Sequence, residues 1–258
     1  MKKMELSSRQ LMALIDSFES DGNWLFRHRG QLPVVLFLLA IPAIFFHDYS
    51  TMSHEWKTCI NILALVLAIL GFLVRSYTIG TTPRGTSGRN TEQQVAEQLN
   101  TSGIYSMVRH PLYLGNYLMW IGIVLFTQNI EFTIIISLMY WLYYERIMFA
   151  EERFLERKFG SSYMEWSRKV PAFFPSFSKF KKSTISFSLK SVLRREYSGV
   201  FATVIGFVYV EAFIRFRLSG SFMVNKNFLY ILGATAVVTL ILRSLKHYTG
   251  LLSEEGRS

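Results

Sequence analysis

Apolar residues run almost unbroken over 32–47, 58–79, 112–128, 130–149, 198–216 and 226–244. Each run approaches the ~20 residues that a helix needs to cross a hydrocarbon core ~30 Å thick. The first is short and carries Pro33 and Pro42. Backbone polar groups in lipid must be satisfied within the segment, so these runs predict helices. The fold class expected is therefore all-α: a polytopic membrane bundle of about six transmembrane helices, with short cytoplasmic helices between them. Residues 1–30 read as an amphipathic cytoplasmic segment, 31–177 as a membrane core and 178–258 as an extension with two further spans. No small-residue cleavage site follows the first apolar run, so the N-terminal segment is expected to stay attached.

Composition agrees with burial in lipid. Half of the 258 residues are hydrophobic, 16% are aromatic and the mean hydropathy is +0.25. The formal charge of +10 could suggest nucleic acid, but the basic residues gather in alternate connections. Residues 150–197 hold eleven Lys or Arg against five Glu, whereas 128–131 hold none. By the positive-inside rule both termini, the 80–111 loop and the 150–197 segment face the cytoplasm. Nucleic acid is not expected as a partner; a membrane with anionic headgroups is. A lone Cys59 offers neither an intramolecular disulfide nor a thiolate metal cluster, and no metal site is expected. Oligomeric state is not legible.

Two polar stretches interrupt this pattern. In "YSMVRHPLYLGNY", Tyr105–Tyr117, Pro111 disfavours helix at His110 and suits a first helical turn itself. The third span should thus start at Pro111, with Arg109, His110 and free backbone N–H groups at its positive end, a place able to hold an anion. Simple anchorage of the span at the headgroup layer would use the same residues. In "EERFLERKFGSSYMEWSRKVPAFFP", Leu155, Phe159 and Tyr163 follow Glu151 at four-residue steps, with Gly160 breaking the helix. That register lets Glu151 face the same interfacial cavity as Arg109; a solvated amphipathic helix is the plainer alternative.

Together the two stretches resemble the isoprenylcysteine carboxyl methyltransferase family, related to the phosphatidylethanolamine N-methyltransferases. The first motif comprises Gly103, Tyr105, Arg109, His110, Pro111, Tyr113 and Gly115. The second comprises Glu151, Glu152, Leu155, Phe159, Gly160, Tyr163, Trp166, Val170 and Pro171. The likeness covers roughly 58–177. It implies a membrane enzyme that uses S-adenosylmethionine without a Rossmann domain and takes its lipid acceptor from the bilayer. It further implies that Val108, His110, Tyr113, Glu151 and Glu152 bind the cofactor, with Glu151 on the methionine ammonium. Arg109 would face the substrate anion as the catalytic residue. Members of the family usually carry an arginine four residues before the Glu pair; here Arg146 precedes Glu151 by five.

Three further features bear on function. The loop "GTTPRGTSGRNTEQQ" offers Arg84 and Arg89 as candidate substrate-binding residues for a phosphate-bearing lipid, including a lipid A-like phosphate. Glu211 and Arg215 stand one turn apart near the end of the fifth span and can neutralise each other. The 80–94 loop lacks the Gly-Lys-Ser/Thr of a P-loop, so nucleotide hydrolysis is not supported. The reading is a methyltransferase acting on an oxygen acid at a lipid head, in a bacterial inner membrane rather than endoplasmic reticulum. A sterol-reductase-like enzyme using a reduced nicotinamide cofactor and a non-enzymatic scaffold or carrier are the alternatives.

Overall fold

The computed structural model of the chain describes residues 2–83, 85, 94 and 96–257. Its helices are α1 (Lys2–His28), α2 (Leu32–Phe45), α3 (His54–Gly80), α4 (Pro111–Leu125), α5 (Ile130–Phe159), α6 (Ser161–Ser167), α7 (Leu189–Ser219) and α8 (Lys226–Tyr248). Among the described residues the one β-type pairing is an isolated bridge between Gly103 and Lys181. The class is all-α.

Six helices occupy the six expected positions, but they differ in reach. Those long and apolar enough to cross a membrane are α3, α7 and α8. At 14 and 15 residues, α2 and α4 extend only ~21–23 Å at 1.5 Å per residue. In contrast, α5 runs for 30 residues, so the fourth span continues without a break into the charged second motif. That continuity holds Glu151 and Glu152 on a rigid element at the membrane edge. Gly160 ends α5 with φ 54°, a left-handed value that favours glycine, and α6 starts directly after it.

Several helix starts are fixed by side chains that accept from orphan N–H groups: Ser53 for α3, Asn129 for α5 and Ser188 for α7. Helix association in lipid relies on close packing of small residues. Here α3 and α4 meet along Gly71, Gly115 and Gly122. A Cβ on Gly71 would come within 2.5 Å of the Gly115 carbonyl, and one on Gly122 within 2.5 Å of the Ala64 carbonyl. The buried centre of the bundle adds Ile44, Ala64, Ile136 and Val210 from α2, α3, α5 and α7. Outward faces stay apolar: Ile62, Leu65, Ile69 and Leu73 of α3 are exposed, and α8 buries no residue. Such surfaces belong against lipid.

The amphipathic N-terminal helix is not a detached surface element. Gly22 seats α1 on α5 so closely that a Cβ there would lie 2.1 Å from the Arg146 carbonyl. Tyr143 donates to the Leu25 carbonyl at 3.1 Å, and Phe26 is buried. Arg146 lies with its guanidinium 3.3 Å from the Phe18 ring centroid, which makes it part of the α1–α5 seam. Glu211 and Arg215 form the expected ion pair within α7.

Candidate active site

The two sequence motifs meet through their backbones. Residues 168–176 lie alongside 107–110, with Arg109 N–H donating to the Pro171 carbonyl at 2.9 Å and His110 N–H to the Ala172 carbonyl at 3.1 Å. Ser176 N–H donates back to the Met107 carbonyl at 3.0 Å. Trp166 Nε1 reaches the Tyr105 carbonyl at 3.3 Å, and Tyr163 beside it is buried. The second motif therefore docks on the first along its whole length. The N–H groups of Arg109 and His110 are thus engaged by the 171–172 backbone. Pro111 does start α4, with His110 at φ −118°, ψ 62° as its cap residue.

Side chains close the junction. Arg109 holds Glu152 with both carboxylate oxygens, Nε to Oε1 at 2.8 Å and Nη2 to Oε2 at 3.0 Å. Its Nη1 donates to the carbonyls of Ser167 at 2.7 Å and Val170 at 2.9 Å. Four of the five N–H donors of a guanidinium are thereby committed, leaving one for any ligand. His110 places Nε2 2.9 Å from Glu152 Oε1 and Nδ1 3.5 Å from Glu151 Oε2. Its ring lies nearly parallel to that of Tyr113, centroids 5.7 Å apart. Burial works against a charged imidazole, but the hydrogen bonds and charges of Glu151 and Glu152 outweigh it and raise the His110 pKa. Burial likewise opposes ionisation of Glu152, yet contacts with His110 and Arg109 hold its pKa below the usual carboxylate value.

The signs of these shifts define a pH window. The raised histidine stabilises the fold fully below its ordinary pKa near 6.5 and loses that contribution as pH rises through the raised value. The depressed carboxyl contributes above its ordinary value near 4.3 and loses its share as pH falls through the lowered one. Thermal unfolding in detergent should therefore peak between about pH 4.5 and 6.5, with the alkaline decline abolished in His110→Gln. An unfolding temperature that rises steadily from pH 6 to 9 in the wild type would contradict the charged His110 network.

The remaining expected site residues fall into three positions. Glu151 is partly exposed, with Oε2 3.5 Å from His110 Nδ1. Tyr113 is buried with Phe26, Tyr140, Tyr144, Ile147 and Phe173. Val108 is wholly enclosed, so it supports the junction and offers no open surface. Arg84 and Arg89 lie outside the described residues.

Beside Tyr113 a small groove of about 90 Å³ opens between α4, α5 and the 173–174 segment, lined by Tyr117, Ser137, Tyr140, Trp141, Phe173 and Phe174. On the far side of the tyrosines, Arg75 of α3 holds Glu196 of α7 with Nε to Oε2 at 2.7 Å and Nη2 to Oε1 at 2.6 Å. Its Nη1 donates to Asn116 at 2.6 Å. Sequence reading passed over this cluster, although a lone arginine inside an apolar run was a signal for it.

The known proteins to which the chain is similar agree with this geometry. Residues 59–162 match the phospholipid methyltransferase family model. The cobalt-zinc-cadmium resistance protein CzcN of Cupriavidus metallidurans is 33% identical over 202 residues, covering 77% of this chain and 87% of that protein. The nickel-cobalt-cadmium resistance protein NccN of Alcaligenes xylosoxydans xylosoxydans is 30% identical, over 70% and 79% of the two chains. The protein-S-isoprenylcysteine O-methyltransferase of Schizosaccharomyces pombe is 31% identical over 112 residues, 41% of this chain and 48% of its own. The chain belongs to the isoprenylcysteine carboxyl methyltransferase family. No solved structure matches. As a membrane methyltransferase, the protein has both its motifs inside or directly beside the matched region, while α1, α7 and α8 lie outside it. Membership supports methyl transfer over a nicotinamide-dependent reductase or a non-enzymatic scaffold.

Proposed function

We propose that this methyltransferase takes its methyl group from S-adenosylmethionine and delivers it to an oxygen acid, phosphate or carboxylate, on the head of a lipid or lipidated molecule. The observation that carries the reading is the junction itself: a carboxylate-rich polar end, Glu151, Glu152 and His110, adjoins an aromatic groove at the edge of the span. An amphiphile has both kinds of surface, and its polar head would reach the junction as its chain lay in the groove.

The residues present fit the donor. Glu151 can receive the methionine ammonium because its carboxylate is partly exposed, with His110 Nδ1 3.5 Å from Oε2. Tyr113 and Tyr144, centroids 4.8 Å apart, offer ring faces suited to a positive sulfonium. When bound, S-adenosylmethionine supplies an electrophilic methyl group on that sulfonium. Displacement at such a methyl needs the acceptor oxygen in line, so the protein's task is alignment. An ionised oxygen acid carries its own nucleophilic electrons, and no general base is required of the chain. His110 is consistent with this, since Glu151 and Glu152 favour its protonated form, which does not accept a proton.

Arg109 serves the alignment mainly by fixing other groups. It ties α5 to the 167–170 turn and to the start of α4, and has one N–H left to meet the acceptor anion. The basic 150–197 segment supports a cytoplasmic site with both termini inside, and the bacterial relatives support an inner membrane. Arg84 and Arg89 remain the proposed phosphate contacts on the 80–90 loop.

The test uses purified protein in detergent. Calorimetric titration with S-adenosylmethionine should show saturable binding, and Glu151→Gln should weaken it about 10- to 150-fold, the loss of one charge-assisted contact of ~1.5–3 kcal/mol. Mass spectrometry of lipids from cells with and without the gene should then show a species heavier by one methyl group. Absence of binding to the wild type would refute the donor, and unchanged affinity in the mutant would return Glu151 to an ordinary solvated position.

A further inference from the structure

The Arg75 cluster joins the C-terminal extension to the site. Glu196 is 2% exposed and stands in the second turn of α7, outside the matched family region. It fixes Arg75 through both oxygens, and Arg75 in turn donates to Asn116, three residues after Tyr113 on α4. Asn116 stands about one turn after Tyr113 on α4, and the rings of Tyr113 and Tyr144 lie 4.8 Å apart. The rings of Tyr140 and Tyr144 are stacked at 4.1 Å, and the Tyr140 hydroxyl donates to the Tyr113 carbonyl at 2.8 Å. Gly115 makes the route possible: a Cβ there would lie 2.5 Å from Arg75 Cγ. Contacts thus run from α7 through Arg75 to Asn116 of α4, the helix that holds Tyr113 against Tyr140 and Tyr144.

An ion pair in a bundle interior is a poor choice if stability is the sole need, because an apolar pair of similar volume is often as good. Its directionality is what an apolar pair lacks. Arg75 is a planar fork with its two faces of donors assigned, one to α7 and one to Asn116, so the position of α7 sets that of the Asn116 amide. Tyr140 lines the groove, and Tyr113 carries the His110 ring.

We infer that Glu196 and Arg75 are positioning residues for methyl transfer: through Asn116 they fix the tyrosine wall against which the lipid acceptor is aligned, so that the C-terminal extension is part of the working enzyme. The inference rests on the reading of the site as a lipid methyltransferase. Glu196, Arg75 and Asn116 touch neither the proposed donor carboxylates nor the groove opening, and their effect falls on alignment.

The discriminating variant is Arg75→Met with Glu196→Leu, which removes both charges together and leaves neither one stranded. Protein labelled with 3-fluorotyrosine is compared with the wild type in lipid nanodiscs, the Tyr144 fluorine resonance being assigned by Tyr144→Phe. Methyl transfer is followed from labelled S-adenosylmethionine into total lipids of cells lacking the gene. The double variant should bind S-adenosylmethionine within about twofold of the wild type, shift the Tyr144 resonance and lose about tenfold or more in kcat, the scale expected of misalignment. Adding Tyr144→Phe to it should cost little further, because both changes break one chain of contacts. Asn116→Leu, which strands no carboxylate, repeats the test should the double variant fail to fold. An unmoved Tyr144 resonance, or a wild-type kcat, overturns the positioning role. If the wild type itself neither binds S-adenosylmethionine nor labels lipid, the proposed function falls, and the Tyr144 resonance still decides whether α7 governs the tyrosine wall.

Discussion

Arg109→Lys should lower methyl transfer by about 10²- to 10³-fold, ~2.7–4 kcal/mol, while the protein stays folded and binds S-adenosylmethionine. Lysine keeps the charge and can keep one contact to Glu152. It cannot hold both carboxylate oxygens and the carbonyls of Ser167 and Val170 at once, because its ammonium is a point donor without the planar fork. The α5 end and the 167–170 turn would then shift relative to His110, and displacement at methyl is sensitive to such shifts. Were Arg109 only a headgroup anchor, lysine would serve equally well. A lysine variant with the wild-type transfer rate would thus refute the assignment of Arg109 to the site.

Glu152→Leu should act on the fold before it acts on the chemistry. It leaves the Arg109 guanidinium without its carboxylate and deprives the buried His110 ring of its nearest acceptor, 2.9 Å away. Removing one partner of a buried pair costs roughly 3–5 kcal/mol. Both groups are about one-fifth exposed, so the lower end of that range, ~3 kcal/mol, is the appropriate expectation after solvent screening. Glu151→Gln, one residue away, should lower the unfolding temperature less, since it loses the longer 3.5 Å contact to His110 and leaves the Arg109 pair intact. Equal destabilisation by the two substitutions would show that the carboxylates do not divide the work as their contacts indicate.

This division was not legible in the sequence. Adjacent glutamates on a helix point ~100° apart, and which of them turns to Arg109 depends on how α5 is rotated against α4. The rotation is set by α1, seated on α5 at Gly22, and by the 168–176 segment lying against 107–110. Neither contact has a local signature. What could be read was everything governed by a local rule: the six apolar helices by hydropathy, the start of α4 by Pro111, the end of α5 by Gly160, and the self-pairing of Glu211 with Arg215 by spacing. The Arg75–Glu196 pair needed the fold, because the two residues are 121 positions apart. Tyr140 and Tyr144 carry no signal in the sequence; the packing of α4 on α5 places Tyr113 beside Tyr144 and Tyr144 on Tyr140.

The wall of the site draws on both ends of the chain, Phe26 from α1 and Glu196 from α7, and this has a bearing on biosynthesis. A ribosome completes the second motif at Pro171 before it reaches Glu196, an interval of a few seconds at ~5–20 residues per second. During that interval Arg75 sits in a nascent bundle with no counter-ion from α7, and its charge favours a position near the headgroups. Docking of α7 then draws Arg75 inward onto Glu196 and Asn116. Enzyme competence would on this account arrive with α7 and not with the motifs, so nascent chains halted after Pro175 would be inserted in the membrane yet silent.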